Sequence, residues 1–392
     1  MGEFRIPLST SSSSAVRVAV SCARGLVFSI VFLMTLEVAT RVEHTIKYGA
    51  PLLSRYTYDA VLYSVDEYGI RGRPNATFEK WQLNSFGFRG PEFSLDKSPR
   101  KLRIACIGAS ETFGLHEQAG NEWPRQLERV LREQSIEAEV INAALAGMSL
   151  PQRLIHFQNR LLRFRPDAVI LMLEYTSYAG LTPAKVEKRL QAQTVPLPSR
   201  DKVLDGLKSL RVLTTFRYSL IPKLPDFLQQ LVSDFDLYWK LQLRQRELGS
   251  DFRSFRRVSQ FEIDAFRQDL EDFAHTASEN GVSLVLVSPA LWLNERNLRL
   301  SYISWPYIDE TWIREARAIF PQVAQQIARE NDLPFIDLSP VVANRESRLM
   351  KDMAHFSDVG AEAVGRVIGH EVDTSLRQLL QSRHDMSRRR EP

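Results

Sequence analysis

Five short apolar runs, separated by stretches of helical periodicity, constrain the fold of this chain more than any other feature. The runs fall at residues 102–107, 138–141, 168–173, 282–287 and 334–337, and the first ends in Gly108. Runs this short and continuously apolar suit strands buried on both faces of a sheet. Between them apolar residues recur at helical spacing: Trp123, Leu127, Val130 and Leu131; Leu154, Ile155, Phe157, Leu161 and Leu162; then Phe266, Leu270, Phe273 and Ala277. A further helix is expected over 309–329, and a last one from about Asp358 with Val364, Val367, Ile368, Val372 and Leu376 on one face. Strand–helix alternation of this kind predicts an α/β fold: a flavodoxin-like, doubly wound, five-stranded parallel sheet. Its active-site crevice is expected beyond the C-terminal ends of the strands.

The alternation covers a domain expected at 101–380 and is broken once. Residues 174–256 carry no strand pattern, include Pro183, Pro196, Pro198, Pro222 and Pro225, and contain amphipathic pieces at 204–212 and 227–243. They read as a helical insertion. Upstream, a Ser-rich leader (1–14) precedes an apolar segment at 15–39, interrupted by Arg17, Arg24 and Glu37. Counted from Val18 to Ala39 the segment reaches the ~20 residues a transmembrane helix needs. A signal peptide is the main competitor, but Glu37 two positions before Ala39 is a poor cleavage context. A buried core helix is the third reading. Glu37 and Arg41 share a helix face and are placed to pair. The surrounding Arg and Lys residues give little positive-inside bias and do not settle the orientation; the main domain is expected outside the cytoplasm, on the periplasmic side of an inner membrane. Residues 40–100 are polar and aromatic and read as an extended arm packing on the main domain, and 381–392 as a basic tail.

Composition removes several classes of function. The chain has 392 residues, 44% apolar and 25% charged, with a formal net charge of +4. No basic stripe accompanies that charge, so no nucleic-acid partner is expected. Cys22 and Cys106 are the only cysteines, which excludes a disulfide framework and cysteine-based zinc spacing.

Chemistry can be sought where the first strand ends, in Gly108-Ala109-Ser110-Glu111-Thr112-Phe113-Gly114. Neither a dinucleotide fingerprint nor a P-loop fits, because Ser110 stands where the second glycine belongs and no Gly-Lys-Ser/Thr follows. Ser110 is either a helix cap or a nucleophile beside local N–H groups that can stabilise an oxyanion. A serine nucleophile needs a base held by a carboxylate. Of seven histidines, His355 alone combines a carboxylate three residues earlier, Asp352, with an address at the C-terminal rim of the sheet. The bland alternative makes Asp352 and His355 ordinary loop polars. Trp292, Tyr302, Trp305, Tyr307 and Trp312 follow the fourth strand, either as a sugar-stacking platform or as a packed cluster.

These segments resemble the SGNH (GDSL-type) hydrolases, in the membrane-anchored, envelope-associated form. Gly108-Ala109-Ser110-Glu111-Thr112 is similar to the family's first block, Asn142-Ala143-Ala144-Leu145-Ala146-Gly147 to its second, and Asp352-Met353-Ala354-His355 to its last. Asn84-Ser85-Phe86-Gly87-Phe88-Arg89-Gly90 resembles a segment often preceding the domain. The resemblance implies a triad of Ser110, Asp352 and His355, an oxyanion hole using the N–H groups of Ser110 and Gly147, and no metal or organic cofactor. It departs from the family at Ala109, which replaces the Asp of the GDS triplet. It departs again at Leu173-Glu174-Tyr175-Thr176, where the third-block Asn is missing and Thr176 lies nearest its place. The implied substrate is an acyl ester, foremost an O-acetylated envelope or exopolysaccharide glycan. Acyl transfer to a sugar by the same triad, or a weakened site in a glycan-binding scaffold, are the alternatives. The oligomeric state is left open.

Overall fold

The computed structural model describes residues 12–54, 58–99, 101–174, 210–343 and 345–388. They divide into two compact units, one of residues 1–60 with 198–225 and one of 61–197 with 226–392.

The first unit is built on helix α1 (Ser12–Tyr48), which runs past Ala39 into the stretch expected to be an extended arm. Residues 16–36 are exposed throughout, which removes the buried-core reading. The helix is long and apolar enough to cross a membrane. Beyond that stretch its surface is polar and engaged. Glu37 pairs with Arg41 at 2.6 Å, and its carboxylate also accepts the N–H groups of Arg211 and Val212 at 3.1 and 2.9 Å. The Arg211 guanidinium is fully buried and donates to the carbonyls of Arg41, Pro51 and Ser54.

The second unit opens with two hairpins, β1 (Tyr63–Asp66) with β2 (Gly69–Gly72) and β3 (Thr77–Phe78) with β4 (Trp81–Gln82). The main sheet follows. Its strands are β5 (Leu102–Ile107), β6 (Ala138–Asn142), β7 (Ala168–Met172), β8 (Ser283–Ser288) and β9 (Phe335–Asp337). They pair in parallel in the order β6-β5-β7-β8-β9, the expected doubly wound arrangement.

The apolar runs are continuous because each strand feeds two cores. On β5, Ile104 and Cys106 face one cluster while Ala105 and Ile107 face the other; on β7, Ile170 and Met172 alternate likewise with Val169 and Leu171. One face is covered by Gln260–Glu279 and Glu310–Glu330, capped by Ser259 and Asp309 respectively. The other is covered by α2 (Trp123–Glu133) and α3 (Asp358–Arg388). Gly365 and Gly369 let these last two helices touch: a Cβ on Gly365 would lie 2.5 Å from Gln126 Cβ and 2.9 Å from the Leu127 nitrogen. The expected basic tail is helical as far as Arg388. The part of the insertion at 226–256 is mostly the helix Asp226–Leu248.

Within the second unit, the segment at 84–95 folds against the sheet domain. Asn84 Oδ1 accepts the N–H groups of Phe86 and Phe88, folding the segment so that Phe86, Phe88 and Phe93 meet Phe164. Arg103, buried at the start of β5, ties down the same region by donating to the carbonyls of Ser94, Leu95 and Phe164.

Candidate active site

Ser110 stands where β5 ends and a single helical turn, Ser110–Phe113, begins. Three buried groups hold this turn. Beneath it Glu174, directly beyond β7, accepts the Ala109 N–H at 2.6 Å, the Thr112 N–H at 2.9 Å and the Thr112 hydroxyl. From the second block, Asn142 Nδ2 donates to the Thr112 carbonyl at 3.0 Å. From the arm, Arg89 donates to the carbonyls of Phe113, at 2.7 Å, and Gly114. Gly108 leaves room for the Glu174 carboxyl, since a Cβ there would come within 2.3 Å of Oε1.

Glu174 is fully buried. Burial, then the neighbouring Glu111 carboxylate and a hydrogen bond with it, raise its pKa well above the usual carboxyl range; Arg153, 3.8 Å away, opposes this only in part. Arg153 spends its guanidinium largely on the carbonyls of Met172 and Met148. The Glu174 and Glu111 carboxyls thus share one buried place at the nucleophile turn. Glu111 in turn accepts the Ser110 hydroxyl at 3.0 Å.

Asp352 and His355 lie on the turn between β9 and α3. The Asp352 carboxylate accepts the backbone N–H groups of Ala354 and His355, each at 3.0 Å, which fixes the turn. It also accepts Nδ1 of His355 at 2.8 Å. Burial opposes charge on both groups, but their mutual attraction wins: Asp352 is held well below the ordinary carboxylate range and His355 is raised. Nε2 of His355 is buried and has no hydrogen-bond partner among the described residues. The structure thus joins Asp352 to His355 and turns the Ser110 hydroxyl to Glu111.

Gly147 lies in the loop after β6 with φ +82°, exposed, with open space where a side chain would be. Thr176 falls outside the described residues. Most of the aromatic group after β8 proves to be packing: Trp312 and Tyr302 are buried in the core, with Trp305 against them.

Four contributors escape a reading of the sequence: Glu174, Glu111, Arg89 and His116. His116 Nε2 lies 3.4 Å from Asp352 Oδ2, so a second imidazole reaches the same carboxylate. Nearby, Lys80 donates to the His116 carbonyl at 2.5 Å, and burial lowers its pKa to about 8. Burial pushes Glu117 up to about 8. A cleft of about 620 Å³ is lined by Asp234, Tyr238, Arg296 and Arg299 among others, and by none of the residues just described.

No protein-family model and no curated protein matches the sequence. Among solved structures, the chain is similar to a lipase/acylhydrolase from Enterococcus faecalis, at 18% identity and a TM-score of 0.40, over 70% of this chain and 96% of that one. It is similar to a lipolytic protein of the G-D-S-L family from Desulfitobacterium hafniense, at 14% identity and a TM-score of 0.38, over 69% and 98%. An acetyl-xylooligosaccharide esterase variant from Geobacillus is a third, at 13% identity and a TM-score of 0.39, over 69% and 94%.

Proposed function

We propose that this chain is a membrane-tethered serine ester hydrolase of SGNH type that removes O-acyl groups, foremost O-acetyl, from an envelope or exopolysaccharide glycan. The observation that carries the reading is the Asp352–His355 pair: a carboxylate fixed on Nδ1, with no partner for Nε2 among the described residues, and with Glu111, the residue after Ser110, among the charges acting on the ring.

In the first step the Ser110 side chain rotates from Glu111 toward His355, a change between staggered rotamers. Nε2 takes the hydroxyl proton as Oγ attacks the ester carbonyl. The field that raises the His355 pKa favours the imidazolium formed at that moment. N–H groups of Ser110 and Gly147 stabilise the tetrahedral oxyanion. The imidazolium then protonates the departing sugar oxygen, leaving an acyl-enzyme. Water, deprotonated by His355, attacks that ester and releases the carboxylic acid with Ser110 restored.

Glu174 gives this chain its own way of holding the nucleophile turn, through two backbone N–H groups and the Thr112 hydroxyl. Retention of α1 as an anchor is supported by Glu37 and Arg41, which bond within the folded first unit; cleavage near Ala39 would strip Glu37 from the N–H groups of Arg211 and Val212. The test is acetate release from an O-acetylated oligosaccharide by the full-length protein in detergent. Release that disappears in Ser110→Ala supports the reading, and undiminished release in that variant refutes it.

A further inference from the structure

A serine hydrolase needs one imidazole on its aspartate, and this aspartate has two. Nδ1 of His355 lies 2.8 Å from the Asp352 carboxylate and Nε2 of His116 lies 3.4 Å from its Oδ2, with the imidazole rings 5.1 Å apart at 64°. Ligand atoms of all three residues lie within 4.8 Å of one another. We propose that His116, Asp352 and His355 form a binding site for a divalent transition-metal ion of the zinc class, and that filling it switches off His355 as a base.

The donor set selects the ion. Two imidazole nitrogens and one carboxylate oxygen suit zinc and its neighbours better than calcium or magnesium, which prefer oxygen alone. Tetrahedral zinc with bonds of about 2.0–2.1 Å sets its ligands about 3.3 Å apart. The His116–Asp352 separation of 3.4 Å already lies near that value and the His355–Asp352 separation of 2.8 Å must open slightly, so the movement required is mainly of one imidazole toward the other. His116 can supply it, because its side chain is 40% exposed. Three protein ligands leave a fourth position for water. Glu111 acts on His355 with the sign that attracts a cation, and Lys80, bonded to the His116 carbonyl, opposes it.

The inhibitory consequence follows from the tautomer, and it rests on the esterase reading. With Nδ1 on the metal, the one remaining ring proton of His355 sits on Nε2. That nitrogen can then donate but cannot accept the proton of Ser110. Asp352 is withdrawn from the ring at the same time.

The experiment uses full-length protein in detergent, freed of metal with chelator and titrated with zinc chloride against a chromophoric chelator. One ion per chain is expected at micromolar zinc. Binding should weaken roughly tenfold or more in His116→Ala, which loses one of three ligands, and in Asp352→Asn. It should be unchanged in His275→Ala, which removes the exposed His275–Glu279 pair on another helix. Cobalt(II) should give the intense visible bands of a tetrahedral site in the parent protein and not in His116→Ala. Acetyl-ester hydrolysis should fall with zinc, recover with chelator, and lose this sensitivity in His116→Ala when each protein is compared with its own zinc-free rate. No binding at micromolar zinc, or binding indifferent to His116→Ala, overturns the site. Site-specific binding with an active but zinc-insensitive esterase overturns the switch. Site-specific binding in a protein that hydrolyses no ester keeps the site and instead overturns the function proposed above.

Discussion

Removing the Glu174 carboxyl should loosen the nucleophile turn by an amount that its hydrogen bonds allow one to work out. In Glu174→Ala the N–H groups of Ala109 and Thr112 lose their acceptor in a fully buried place, and the Thr112 hydroxyl loses its own. Each buried donor left unsatisfied costs about 1–3 kcal/mol. Water entering the space recovers some of this, so a net loss of about 3–5 kcal/mol is expected. Glu174→Gln is the informative comparison. Its carbonyl can serve one backbone N–H, but its amide nitrogen then faces the other donor, so one group is left unsatisfied at about 1–3 kcal/mol. The expected order of stability is therefore parent, then Gln, then Ala. Urea unfolding of the full-length protein in detergent, followed by circular dichroism, measures it, with ester hydrolysis as a second readout. A Glu174→Ala variant within about 1 kcal/mol of the parent would refute the idea that this carboxyl holds the turn.

Three further outcomes are expected. Asp352→Asn keeps the turn but cannot hold the imidazole tautomer, so kcat should fall by roughly 10³–10⁴ while the circular-dichroism spectrum is unchanged. His156 is buried beside Arg160; burial and then that positive charge lower its pKa from 6.5 to about 3. Its contribution to stability is therefore complete above pH 6.5 and lost as the pH falls toward 3, because the unfolded chain binds a proton that the native state refuses. The gap between parent and His156→Gln should change by about 1.4 kcal/mol per pH unit between pH 6 and pH 4, measured by denaturant unfolding. Glu37→Ala removes the acceptor at the start of the helix Arg211–Thr215 and should cost about 0.5–2 kcal/mol, seen as faster hydrogen exchange in that helix.

The sheet was legible because β5, β7 and β8 are apolar on both faces, and only a strand between two helical layers needs that pattern. Asp352 and His355 were legible because their spacing lets one side chain cap a turn and orient the other. Glu174 was not, since an acidic residue after a strand ordinarily faces water; its burial depends on a cavity made by Gly108 and closed by Thr112. His116 reads as a polar residue after a short helix until the turn before α3 is folded against it. The full length of α1 was missed for a similar reason: beyond Ala39 the helix is polar, and what sustains it is Arg211, far along the chain. In the aromatic group after β8, composition alone did not separate stacking surfaces from core, and the packing of Trp312 against Phe320 decided it.

The central claim is that Ser110 is a nucleophile activated by His355. A fluorophosphonate probe incubated with the full-length protein, followed by peptide mass spectrometry, tests it most directly. The account predicts one modified residue, Ser110, with labelling slowed at least a hundredfold or so in His355→Ala. Labelling elsewhere, or labelling of Ser110 at the same rate without His355, would contradict it.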